Sequence, residues 1–156
     1  MERFGTCWED KEYPYLQPLP DTPGHSPEGR CFCDTQDKEI LSQVLNNYDQ
    51  ETVDFYRWTV GYGRNELAEL IESRSGVKVG RILSVTPLER GGSGRISRLK
   101  IEGEEKTFIV GKELEIRRIL SDSHLKSSAF DVEMTDEKVI LHGSGWGHGV
   151  GLCQIG

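Results

Sequence analysis

The sequence predicts a single α+β domain in which short helices and antiparallel strands are joined by long loops rich in glycine and proline. Apolar residues recur at helical spacing in some stretches and form short strand-like runs in others, with turn residues between them. The two kinds of element do not alternate as in a nucleotide-binding βαβ sheet. A chain of 156 residues is long enough to bury one core.

Residues 1–35 read as a loop-rich segment, because Pro14, Pro18, Pro20, Pro23, Gly24, Pro27 and Gly29 interrupt any regular element. Trp8, Tyr13, Tyr15 and Leu16 give this segment apolar anchors, and packing against the core accounts for them more simply than sugar stacking does. Residues 37–47 place Ile40, Leu41, Val44 and Leu45 on one face, as an amphipathic helix would. Phe55, Tyr56, Trp58 and Val60 then suggest an extended or mixed segment. A second helix is expected over residues 64–73, with Leu67, Leu70 and Ile71 inward and Gly76 as its stop. Glu66 sits at its positive end, where capping explains it before catalysis does.

Residues 82–88, 95–101 and 106–110 read as three strands, with Glu102 and Gly103 as the turn between the last two. A short helix over 112–120 would bury Ile116, Ile119 and Leu120. Strands over 130–134 and 139–142 follow, joined by Thr135, Asp136 and Glu137.

Composition narrows the function. A net charge of −7 disfavours a nucleic-acid surface, which needs a dense positive field, but leaves neutral glycans open. No stretch reads as a membrane span, and the first residues lack the basic and apolar parts of a signal peptide. The turn Arg90-Gly91-Gly92-Ser93-Gly94-Arg95 is no phosphate loop, since no Lys-Ser/Thr pair follows it, and no nucleotide is expected.

Two constellations carry chemistry. In the first, Gly143, Gly145, Gly147, Gly149 and Gly151 alternate around Trp146 and His148 directly after a strand-like run. Glycine at alternate positions permits positive φ and close approach by backbone or ligand. Trp146 suits stacking on a sugar ring and suits capping the core equally well. In the second, His25, Cys31 and Cys33, with Cys7 or Cys153 as further ligands, would suit a tetrahedral structural zinc. The spacing is not a strong zinc signature, and the four cysteines are equally open to disulfide and free-thiol readings.

The glycine-rich run from Gly143 to Gly156 resembles that of the stage II sporulation protein D and amidase enhancer (SpoIID/LytB) family. So do Tyr13-Pro14-Tyr15-Leu16, the stretch 58–67, the turn 90–96, Gly111-Lys112-Glu113-Leu114 and Ser127-Ser128-Ala129-Phe130, in the same order. The resemblance implies a domain of the cell envelope that acts on peptidoglycan glycan strands as a lytic transglycosylase. It also implies an alternative, a wall-binding module that stimulates a cell-wall amidase. Ser93, Arg95, Trp146, His148 and Gln154 are the residues it places at the glycan, with Ser93 and Arg95 also fit for structural support. Some members resemble zinc binders through Cys and His in the region of His25, Cys31 and Cys33.

Transglycosylation requires a carboxylic acid to protonate the glycosidic oxygen. The glutamate that the family uses has no counterpart in this sequence, so the chain looks like an incomplete catalytic domain with little activity alone. Glu66 and Glu115 are the remaining candidates, and capping or ion pairing explains both. His148 is expected to orient a neighbouring group rather than to transfer a proton itself.

Overall fold

The structure, a computed structural model, describes residues 11, 13–15, 39 and 57–150. Within 57–150 the chain forms β1 (Arg57–Gly63), α1 (Arg64–Ser75), β2 (Ile82–Arg90), β3 (Ile96–Gly103), β4 (Thr107–Gly111), α2 (Glu113–Ile119), β5 (Phe130–Met134) and β6 (Lys138–Ser144). Two antiparallel three-stranded sheets, ordered β1-β6-β5 and β2-β3-β4, share one core with the two helices. This is the α+β class that the sequence predicts.

Helix α1 forms for the reasons legible in its sequence. Leu67 and Ile71 are buried as expected, with Ala68 beside them, while Leu70 is only half-buried at the edge of the face, and Gly76 ends the helix at φ 71°, a left-handed conformation that costs glycine little. At the other end the Glu66 carboxylate accepts a hydrogen bond from the Gly63 N–H at 2.9 Å, so Glu66 is the capping group expected. In α2, Ile116, Ile119 and Leu120 are buried as expected, and Glu115 pairs with Arg118 at 2.8 Å.

The expected turn at Glu102 and Gly103 is displaced. Both residues belong to β3, where Glu102 pairs with Thr107, and residues 104–106 make the turn. Gly103 serves close packing instead: a Cβ there would lie 2.1 Å from the Val79 carbonyl oxygen. The join at Thr135, Asp136 and Glu137 stands as expected, and the Arg64 side chain holds it by donating to the Thr135 carbonyl.

Of residues 37–47 only Glu39 is described, and it is helical. Of the early aromatic anchors, Trp8 and Leu16 lie outside the described residues. Tyr15 is 76% exposed and meets Tyr13 at a ring separation of 5.5 Å. No described helix is long and apolar enough to cross a membrane.

Candidate functional site

The glycine-rich run leaves the end of β6 and turns across one end of the shared core. Register explains its first glycine. Trp58, Gly143 and Phe130 form one row across the first sheet, and the two aromatic rings meet above the missing side chain at 6.3 Å. A Cβ at Gly143 would lie 2.0 Å from the Trp58 ring. The indole is only 4% exposed, and its N–H donates to the Gly145 carbonyl at 3.0 Å, fixing the point where the run departs from the sheet.

Gly145, Gly147 and Gly149 all take positive φ, which is why the alternation is needed. The turn they make wraps around Arg95. Arg95 Nε donates to the Gly147 carbonyl at 3.3 Å and its Nη1 donates to Ser93 Oγ at 3.1 Å. A Cβ at Gly149 would lie 2.5 Å from the guanidinium carbon, so the run closes onto the arginine. Arg95 thus performs the supporting role open to it from sequence, satisfying a loop carbonyl through one of its several donors.

The segment before β5 clamps the run from the other side. Ser144 N–H donates to the Ala129 carbonyl at 2.8 Å and Gly147 N–H donates to the Lys126 carbonyl at 2.8 Å. The buried Ser127 hydroxyl donates to the Ser144 carbonyl at 2.7 Å while accepting from the Ala129 N–H at 3.0 Å. Arg117, buried in α2, fixes that segment in turn by donating from Nε to the Leu125 carbonyl at 2.6 Å.

Beside Arg117 lies Glu113, whose side chain has no exposure. Its Oε1 is 3.5 Å from Arg117 Nη1, and neither oxygen has a hydrogen-bond partner among the described residues. Burial raises its pKa, against the opposing pull of Arg117 and Arg95. The residue before it, Lys112, has φ 72°, an uncommon conformation for a side chain with Cβ, and its N–H donates to the Ser97 carbonyl at 2.9 Å. That contact with β3 fixes where α2 starts.

Two of the expected glycan residues reach the surface of this assembly. Trp146 is 41% exposed, and Lys126 Nζ stands 5.7 Å from its ring centre. His148 accepts the Val150 N–H at Nδ1, 3.0 Å away, which places the proton of the neutral ring on Nε2. Burial, then the charges of Arg117 and Arg95, hold its pKa below the usual histidine range. The backbone donor thus holds the imidazole in one tautomer.

Next to the run, an open groove of about 710 Å³ is lined by Arg57, Thr59, Arg90, Ser93, Asp131 and His142, with Gly143 and Ser144 at its edge. Ser93 therefore belongs both to the groove and to the support of Arg95. His142 bridges Glu133 at 2.8 Å and Thr59 at 3.3 Å across the exposed face of the first sheet. Asp131 pairs with Arg90 at 2.9 Å, and Arg90 also donates to the Phe130 and Gly94 carbonyls.

Gln154 and Cys153 lie outside the described residues, as do Cys7 and the zinc candidates His25, Cys31 and Cys33. Among the described residues no group of three or more His, Cys, Asp or Glu side chains could hold a metal ion. Sequence reasoning missed the clamp made by Ser127 and the buried Glu113–Arg117 pair, although both lie in segments singled out for other reasons. Four-residue spacing on a helix of isoleucines was the available signal for that pair.

A small α+β domain that presents a glycine-rich turn clamped over an arginine is thus the class defined by fold and site. The chain belongs to the family described as Domain of unknown function (DUF8618), whose model matches residues 2–151. No curated protein matches it.

Proposed function

We propose that this chain provides the glycan-binding face of a peptidoglycan-acting domain of the lytic transglycosylase type, working at the cell envelope. The observation that carries this reading is the preformed turn over Arg95, which carries Trp146 at the surface and starts from Gly143 and Ser144 on the wall of a groove lined by polar side chains. Sugar recognition asks for this combination: an exposed aromatic face for the apolar side of a ring, and fixed donors and acceptors for hydroxyl and acetamido groups. The glycines add specificity by letting the backbone itself approach the ligand.

The described carboxylates suit binding better than bond cleavage. Asp131 lines the groove and is tied to Arg90 by a 2.9 Å ion pair. Glu113 is withdrawn from the surface altogether. In this reading neither Asp131 nor Glu113 protonates the glycosidic oxygen, and His148 orients groups around the acid that does.

Co-sedimentation of the full chain with insoluble peptidoglycan tests the binding, and release of anhydro-ended muropeptides tests the cleavage. Binding is expected, with little or no product. Absence of binding would remove the reading, and robust turnover resistant to purification and chelation controls would overturn the division of labour within it. A wall-bound chain that accelerates a purified cell-wall amidase would instead support the stimulating module.

A further inference from the structure

Two guanidinium groups and one carboxylate converge beneath the glycine-rich run. Arg95 and Arg117 both act on Glu113, and both act on His148. Among the described residues Glu113 is one carboxyl set against two permanent cations, and the burial and charges that lower the His148 pKa disfavour a third positive charge there. Glu113 stands 3.5 Å from Arg117, so its closest ion pair is with that residue. Among the described residues Arg95 has a carbonyl and a hydroxyl as acceptors, through Nε and Nη1. Its Nη2 hydrogens meet no acceptor among the described residues, and Nη2 lies 3.6 Å from where a Gly145 Cβ would stand.

A partly buried guanidinium left with unused donors is suited to a planar anion, which it can grip with two parallel hydrogen bonds. Glycine at 145 and 149 keeps side chains away from both sides of that group. The remaining run offers Trp146 for the ring of a sugar that would carry such an anion.

We propose that Arg95, backed by Arg117, forms a subsite for a carboxylate carried by the glycan, with Glu113 as the buried internal counter-charge that tempers it. This rests on the glycan-binding reading and adds to it the acidic substituent that the site selects. Arg95 takes the ligand carboxylate directly. Glu113 touches no ligand and acts through the two arginines, so removing its charge should strengthen the grip on an anion rather than weaken it. That opposite sign separates the proposal from a purely structural role for the cluster.

The test compares two disaccharides on the full chain by calorimetry or NMR titration. One is N-acetylglucosaminyl-N-acetylmuramic acid with its lactyl carboxylate free, and the other is di-N-acetylchitobiose, which lacks the acid. The acidic ligand is expected to bind roughly tenfold more tightly at low salt, the size of a charge-assisted hydrogen bond, and to lose that advantage as salt rises. Arg95→Gln should abolish the difference, and Arg95→Lys should retain only part of it. Glu113→Gln should raise affinity for the acidic ligand about two- to threefold by removing an opposing charge, with the neutral ligand unchanged.

Equal affinities in the unsubstituted chain, or a Glu113→Gln variant that binds the acid more weakly, would overturn the subsite while leaving glycan binding intact. Failure of both disaccharides to bind would overturn the glycan reading beneath it. Should Arg95→Gln not fold, the salt dependence of the unsubstituted chain and the Glu113→Gln comparison decide the matter. A disaccharide of N-acetylglucosamine and glucuronic acid separates the sources: an equal gain assigns the subsite to any sugar carboxylate, and a gain confined to the muramoyl ligand assigns it to the lactyl group.

Discussion

Gly143→Ala is the most incisive perturbation, because a single methyl group tests the row that launches the glycine-rich run. The added Cβ would lie 2.0, 2.1 and 2.3 Å from three ring atoms of Trp58, well inside any allowed contact. Positive φ plays no part here, so the effect is steric alone. The indole is enclosed and cannot swing aside without leaving Phe130 and breaking its bond to the Gly145 carbonyl. Overpacking of a core costs about 1–3 kcal/mol and the lost hydrogen bond about 1 kcal/mol more, giving roughly 2–4 kcal/mol in all. For a chain of this length that corresponds to a fall in Tm of roughly 6–12 °C. Urea denaturation followed by circular dichroism measures it. Combining the change with Trp58→Phe, which lacks the outer ring of the indole, should recover about 1–2 kcal/mol as coupling between the two positions. An identical cost for Gly143→Ala in both backgrounds would refute the argument.

Three further outcomes are expected. Ser127→Ala removes a hydroxyl that serves both Ser144 and Ala129 in a buried setting, so it should cost about 1–3 kcal/mol in denaturation and weaken peptidoglycan co-sedimentation. His148 should titrate below the ordinary value of about 6.5 when followed by NMR at its ring Cε1 proton. Since its folded-state pKa is depressed, its contribution to stability is fully present above the unfolded value of about 6.5 and is lost as pH falls through the folded one, and His148→Gln should flatten the acid limb of a stability profile. Tyr62, whose phenol is raised to about 12 by burial and by the charges of Asp122 and Glu66, should ionise late in a phenolate absorbance titration. Its raised pKa stabilises the fold below pH 10 and ceases to do so as pH rises through 10 to about 12, and Tyr62→Phe should remove the late component.

Local chemistry announced most of the described fold. The α1 stripe, its Gly76 stop and the Glu66 cap are all decided within a dozen residues, and each is found where sequence places it. The turn before β4 escaped because Gly103 answers to Val79, a residue far away in the chain, and not to its own neighbours. The site divides in the same way. Alternating glycines, Trp146 and His148 were conspicuous in sequence, and Arg95 and Ser93 were drawn in from a separate turn. Glu113 and Arg117 were not, because an acid and a base at helical spacing ordinarily face water. Only the packing of α2 against β3 and β4 turns that pair inward.

The ladder that launches the glycine-rich run is also the one that joins the two ends of the described domain, bringing Gly63 opposite Lys138 and Arg57 opposite Ser144. In the other sheet, by contrast, each strand meets its immediate successor along the chain. Closing a long loop demands more chain entropy than closing two short ones, so the meander is expected to assemble first and the site last. The same ordering runs backwards when the native domain breathes: amides of β1 and β6 should exchange with solvent ahead of those in β3, and protection in β1 and β6 equal to that in β3 would contradict it. The proposed glycan face would then be a surface whose lifetime is set by one long-range seam, and a ligand bound across its edge would act as the stitch that holds it shut.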